Sequence, residues 1–358
     1  MVATVTGVVM RLGAGVGAAV ALLVGGAGAL GRALPSSGQL AYTTQEFAAD
    51  ARQLHLIDVG HNLRRDLALY YAIDDLVWSP DGESLAFAAD EPAQIFVYQP
   101  FGEAAPRSLQ SSDEFAIDTQ PAWIGTGGQR VAFLSLQYNQ WSIKVADVSS
   151  GQIDTVNVLS DRVDTPSWSP DGQQLAFSSL YGLHQAIYVA DLSGNVRQLT
   201  RSIGTDLLPE WSPDGAPSAG RIAFFSDRDG GWNIYVIDAA QPLDMNSSEN
   251  DSAQRVTTTP IGLLNFGWSA DGQQIVFTGV NNFQHELYTQ PIAAGSAARQ
   301  LTQGMEADED AVWSPDNALI AYIFWGDFPE IRIIAANGSH SRRFVDDDIV
   351  TSSLAWRP

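Results

Sequence analysis

Short alternations of apolar and polar residues run through most of this chain, with turn residues between them. Six are near-copies of one another: Ser84-Leu-Ala-Phe87, Arg130-Val-Ala-Phe133, Gln174-Leu-Ala-Phe177, Arg221-Ile-Ala-Phe224, Gln274-Ile-Val-Phe277 and Leu319-Ile-Ala-Tyr322. A seventh, Gln39-Leu-Ala-Tyr42, comes first in the chain. A period of two, rich in β-branched and aromatic residues, predicts strands. A Trp stands before each of the six. The phrase that joins them is Trp-Ser-Pro-Asp-Gly at Trp78, Trp168 and Trp211, Trp-Ser-Ala-Asp-Gly at Trp268 and Trp-Ser-Pro-Asp-Asn at Trp313, with weaker echoes at Trp123 and Trp356. Pro presets φ, Asp bonds its own backbone and Gly tolerates positive φ, so each phrase predicts a strand end and a tight reversal.

Two further runs follow in order. Leu54-His-Leu-Ile-Asp58, Ile143-Lys-Val-Ala-Asp147, Ile187-Tyr-Val-Ala-Asp191 and Ile234-Tyr-Val-Ile-Asp238 form a third strand, and Arg197-Gln-Leu-Thr200 and Arg299-Gln-Leu-Thr302 a fourth. The seven Trp lie 43 to 57 residues apart. Four short strands in a repeat of this length predict a β-propeller. Six full sets begin at the first six Trp. The N-terminal part adds a second, third and fourth strand, and Ser352-Ser-Leu-Ala-Trp356 adds a lone first strand. The expectation is an all-β, seven-bladed propeller of four-stranded antiparallel blades over 39–358. Its ring is closed by the N-terminal strands plus the C-terminal strand, because closure removes unpaired edges. The Ala inside six of the seven second strands predicts close packing of blade on blade. The longest interval holds Ala216-Pro-Ser-Ala219 and a polar loop from Gln241 to Ala253.

Residues 1–34 have a different character. Leu12 to Leu30 is uncharged and flanked by Arg11 and Arg32. Its length is close to the ~20 residues that span a bilayer, and Ala27-Gly28-Ala29 fits a signal cleavage pattern. A cleaved signal peptide and a signal-anchor tethered through residues 12–30 are the two readings, with 35–38 as linker. Both export the body of the protein, to the periplasm or beyond. Charge narrows the partners. Asp and Glu number 41 against 19 Lys and Arg, a net −22, which repels phosphate and excludes nucleic acid. The absence of Cys excludes disulfides, thiolate metal sites and a Cys nucleophile.

Taken in order, the Trp-Ser-Pro-Asp-Gly, Ala-Phe, Ile-Tyr-Val-x-Asp and Arg-x-Leu-Thr runs resemble the repeats of the TolB-like, WD-like propeller family over about residues 39–357. The resemblance implies a binding scaffold of the cell envelope. Related repeats also form the propeller of prolyl oligopeptidase-like enzymes, but no Gly-x-Ser-x-Gly occurs here.

Strand order puts the loops that enter first strands on the same face as those between second and third strands. The entering loops carry Asp74, Asp118, Asp164, Asp206, Asp308 and Glu309. These acids are expected to ring the channel mouth and to favour Ca²⁺ or an Arg/Lys-rich peptide; the competing reading is that each caps a turn. The other loops carry Tyr138, Trp141, Tyr181, Trp232, Phe283 and Trp325, with Phe47 and Phe328, an aromatic face suited to a peptide or a sugar. The five His show no metal-ligand spacing, although His184 and His285 share that face. The leading expectation is a non-catalytic scaffold, with no cofactor unless Ca²⁺, that binds an envelope protein or a basic peptide. The alternative is a propeller enzyme acting on polysaccharide, a lyase or hydrolase with its site in the central channel.

Overall fold

The Ser-Pro-Asp-Gly phrase folds as its chemistry dictates. After Trp78, Ser79 Oγ donates to Asp81 Oδ1 (2.6 Å), and the Glu83 N–H donates to the same oxygen (3.0 Å). Gly82, at φ 70°, closes the reversal by donating its N–H to Ser79 O (2.8 Å). The altered copies keep this wiring: Ser269 Oγ to Asp271 and Ser314 Oγ to Asp316, each 2.6 Å. Each turn feeds a first strand into an antiparallel second strand.

The computed structural model describes residues 38–358 apart from 46–51, 62, 71–72, 90–91, 103, 110–115, 126, 139, 157–162, 171–172, 182–183, 192, 214–219, 242–250, 258–260, 282–283, 294 and 345–349. The segment expected to be a signal or anchor, the linker as far as Ser37, both inserts of the longest interval for most of their length, Phe47 and Phe283 lie outside the described residues. The described chain forms seven four-stranded antiparallel sheets arranged as a seven-bladed propeller. Blade one comprises Ile73–Trp78, Leu85–Ala89, Gln94–Tyr98 and Arg107–Ser108. Blades two to six begin with Ile117–Ile124, Val163–Trp168, Asp206–Trp211, Ile261–Trp268 and Ala307–Trp313. In the closing blade Val350–Trp356 pairs with Gln39–Gln45 in the register Leu40 to Trp356, Ala41 to Ala355 and Tyr42 to Leu354. Arg52–Asp58 and Leu63–Tyr70 complete it, so the two ends of the repeat region build one sheet, as the count of strands predicts.

Arg357 clamps this joint to blade one. Its guanidinium donates to Gly82 O (2.6 Å), Gln39 Oε1 (3.0 Å) and Glu83 Oε1 (3.0 Å) and lies over the Phe101 ring. First strands of neighbouring blades touch one another and are therefore innermost. The Trp that ends each one reaches across the seam. Indole N–H groups of Trp78, Trp123, Trp268 and Trp356 donate to Ala355, Val77, Glu210 and Val312 carbonyls of the preceding blade, at 3.0–3.1 Å. The apolar core follows the same plan, one cluster per seam. Between blades one and two, for example, Ala86, Ala88, Ile95 and Val97 meet Trp123, Val131 and Phe133. The small second-strand residues Ala41, Ala86, Ala132, Ala176, Ala223 and Ala321 are fully buried, which is the close approach expected of them. No helix among the described residues is long and apolar enough to cross a membrane.

Candidate functional site

Chain direction gives the propeller two unlike faces. First strands run toward the Ser-Pro-Asp-Gly turns. The entering loops and the loops between second and third strands therefore share the opposite, loop face. Nine large apolar side chains are exposed among the described residues, and seven of them, Ile117, Tyr138, Leu180, Ile203, Met305, Trp325 and Phe328, sit at loop-face strand ends or in loop-face loops. Tyr138, Ile203 and Met305 are exposed by 87%, 83% and 85%. The other two, Leu63 and Phe101, lie toward the turn face, where Phe101 stacks on Trp78. The exposed large apolar side chains of the described residues are thus concentrated on the loop face.

The expected aromatic set divides. Tyr138 and Trp325 are exposed. Trp141 and Trp232 pack down against the seams of blades two–three and four–five. Tyr181 ends the second strand of blade three, and Phe283 is outside the described residues.

The expected acids divide too. Asp118, Asp206 and Asp308 are 1%, 0% and 5% exposed, beneath the loop face. Asp206 receives Arg228 Nη2 on both oxygens (3.0 and 3.1 Å), while Arg228 Nη1 binds Asp251 (2.7 Å). Burial raises the Asp206 carboxyl, with Arg228 opposing it. Glu309 is part-exposed and pairs with His285 Nδ1 at 2.5 Å. Asp74 and Asp164 hold first-strand positions opposite Ala88 and Ser178. The seven first strands together carry nine acids, Asp74, Asp75, Asp118, Asp164, Asp206, Glu210, Asp308, Glu309 and Asp310, and no Lys, Arg or His. Among the described residues no three of His, Asp and Glu come together so as to hold a metal ion.

The model of the TolB beta propeller domain matches residues 102–358, well over half of the chain. The chain belongs to the TolB beta-propeller family. The Tol-Pal system protein TolB of Desulfotalea psychrophila is 29% identical to it over 102 residues, 28% of this chain and 23% of that protein. The match thus spans less than a quarter of this relative's length. The crystal structure of TolB from Acinetobacter baumannii has a TM-score of 0.56 at 20% identity, covering 90% of this chain and 83% of that one. An oligogalacturonate lyase in complex with manganese has a TM-score of 0.65 at 14% identity, covering 83% and 85%. At such identities these two structures share the fold alone.

Three arrangements carry no signal in the sequence. Every first strand slips register once against its neighbour. In five of them the residue three before the Trp takes positive φ, namely Asp75 (53°), Gln120 (53°), Thr165 (44°), Leu208 (52°) and Asp310 (52°). Such bulges re-aim side chains, and here they interlock blades: Asp75 Oδ2 accepts the Gln120 N–H (3.0 Å), and Gln120 Oε1 accepts the Thr165 N–H (3.2 Å). Second, Glu210 sits immediately before Trp211 on the channel wall. Third, in the closing blade Thr44 Oγ1 meets His55 Nε2 (2.6 Å) and His55 Nδ1 meets Asp66 (2.7 Å). That row has the connectivity of a hydroxyl–imidazole–carboxylate triad, but Thr44 and His55 are 3% and 0% exposed, so no substrate reaches the hydroxyl.

Proposed function

We propose that this TolB-like propeller is a non-catalytic scaffold of the cell envelope that holds a protein partner on its loop face. The observation that carries the reading is that, among the described residues, seven of nine exposed large apolar side chains lie on that face. Acids without any base on the inner strands, among them the exposed Asp75, favour a partner that presents basic side chains toward the channel. The uncharged stretch of residues 12–30 and the Tol-Pal system named for the Desulfotalea relative support an envelope setting.

Photo-crosslinking in intact cells tests this. A crosslinker placed at Tyr138 or Met305 is expected to trap a defined protein, and one at Gln273, on the turn face, is not. Replacing Met305, Trp325 and Phe328 with Ser should remove the adduct formed from Tyr138. Equal adducts from both faces, or an adduct indifferent to the triple replacement, would refute the assignment of the face.

A further inference from the structure

The repeat lets one seam be compared with another, position by position. Strand pairing sets Arg107 opposite Val97, Arg197 opposite Val189 and Gln254 opposite Val236, and these Val lie opposite Ala86, Ala176 and Ala223. Arg107, Arg197 and Gln254 therefore hold one place in blades one, three and four. The two Arg cross their seams: Arg107 Nη1 donates to Val148 O (2.8 Å), and Arg197 Nη2 donates to Ala239 O. In blade five the place of Val148 and Ala239 belongs to Ile292. Each of the three donates its N–H to the carbonyl just before its own second strand, that of Gln129, Gly220 or Gln273. The seam of blades four and five thus has Gln254 instead of the Arg, and among the described residues nothing donates to Ile292 O.

A cleft of about 510 Å³ lies in that place, on the outer rim between the fourth strand of blade four, Gln254–Arg255, and the loop after Gln284–Pro291 of blade five. A Cβ added to Gly151 of blade two would stand 2.6 Å from Arg107 Nη2, whereas one added to the matching Gly295 would meet nothing within 4 Å among the described residues. The wall of the cleft departs from the repeat as well. Gln290 pairs with Ile275, a place where the other six blades bury Ile57, Tyr98, Ala146, Ala190, Ile237 and Ile334. Gln290 is itself 2% exposed. Its Nε2 donates to the carbonyl of Ser296, another residue of the wall (2.8 Å), and its Oε1 has no partner among the described residues. Buried acceptors are almost always met by a donor, so the cleft is a donor short. The cations that line it are committed elsewhere. Arg255 bonds Thr257 O (2.7 Å) and Asn233 Oδ1 (2.9 Å), and Arg221 bonds Gly272 O (2.7 Å) and lies over the Trp268 ring.

We propose that the cleft between blades four and five binds a small alkylguanidine, whose guanidinium takes the place that Arg107 and Arg197 fill at their own seams. A guanidinium carries five N–H donors in a planar fork, enough to meet both Ile292 O and Gln290 Oε1. The part-exposed Asp238 carboxylate on the cleft supplies the opposite charge, and Val236 and Val256 give the methylene stem an apolar wall. The volume suits a small molecule held whole rather than a single side-chain tip. The cleft lies toward the turn face, so it stands apart from the protein-binding role of the loop face.

Methyl NMR of the full chain, titrated with butylguanidine, reads the site directly. The Ile292 methyl signal is expected to shift and saturate, while the Val148 methyl, at the seam already filled by Arg107, stays in place. Gln254→Arg restores the residue of blades one and three, so the fold tolerates it; it should fill the cleft from within and weaken binding at least about ten-fold. Gln290→Leu, which restores an apolar residue, should weaken it by about the same factor. Butylamine, a point charge without the fork, should bind more weakly than butylguanidine. No saturable shift at Ile292, an equal shift at Val148, equal affinity for butylamine, or undiminished binding in Gln254→Arg would overturn the site. An Ala-Arg-Ala peptide that binds more tightly than butylguanidine would overturn the choice of a small molecule.

Discussion

Glu210 offers the sharpest test of how the channel wall is built. The seven residues immediately before the Trp are Val77, Ala122, Ser167, Glu210, Gly267, Val312 and Ala355, all part-exposed on the inner strands. Only Glu210 can ionise. The protein crowds its carboxyl, which accepts the Trp268 backbone N–H, and burial pushes it from 4.5 to about 8. The unfolded chain releases this proton near its ordinary value, so between those limits the folded state binds more protons than the unfolded. The group's contribution is therefore full at low pH and is lost as the pH rises from about 4.5 to about 8. The full gap corresponds to about 5 kcal/mol, and water reaching the part-exposed side chain screens some of it, leaving roughly 2–5 kcal/mol. Glu210→Gln should thus be near neutral at about pH 5 and stabilise the protein by roughly 2–5 kcal/mol at about pH 9. Urea unfolding followed by Trp fluorescence at both pH values measures the difference. Asp308 titrates in the same direction but lies two blades away, so its effect cancels between the two proteins. Parallel pH dependence in both would show Glu210 ionised throughout and would refute the reasoning.

Two further outcomes follow from the seams. Arg357→Ala removes the bonds to Gly82, Gln39 and Glu83 and the contact with Phe101; it should cost about 2–4 kcal/mol in thermal or urea melts and raise the rate of proteolysis within Gln39–Gln45. Arg228→Ala strands Asp206 and Asp251 under the loop face and should cost about 3–5 kcal/mol, whereas Arg228→Met combined with Asp206→Asn and Asp251→Asn should recover most of the loss.

The blades were legible because each repeats the same local chemistry. A Trp before a Ser-Pro-Asp-Gly turn reports its own strand end and reversal, and the turn atoms bond within a few residues of one another. The closing blade followed from counting strands, since the N-terminal part lacks the one strand that the C-terminus supplies. The inner-strand bulges were not legible. Asp75, Gln120, Thr165, Leu208 and Asp310 take positive φ without a Gly to announce it, because the neighbouring blade, not the residue type, imposes the conformation. Thr44, His55 and Asp66 likewise meet only across three strands.

The acids show where a reading of loops stops and strand geometry takes over. Those five residues before the Trp, Asp118, Asp206 and Asp308, pair opposite Ser135, Ser226 and Phe324, two places beyond the buried Phe133, Phe224 and Tyr322 and on the same side of the sheet. Those four residues before it, Asp74, Asp164 and Glu309, pair opposite Ala88, Ser178 and Ile323, one place beyond the equivalent aromatic. In a strand a shift of one residue moves a side chain to the other face. The five-residue spacing thus buries Asp118, Asp206 and Asp308, whereas Glu309, one place on, stays part-exposed and reaches His285. A buried acid in a seam must find a cation or keep a proton: Asp206 meets Arg228, while burial pushes the Asp308 carboxyl up to about 6. The charge that this propeller can offer on its loop face is therefore smaller than the number of acids on its inner strands.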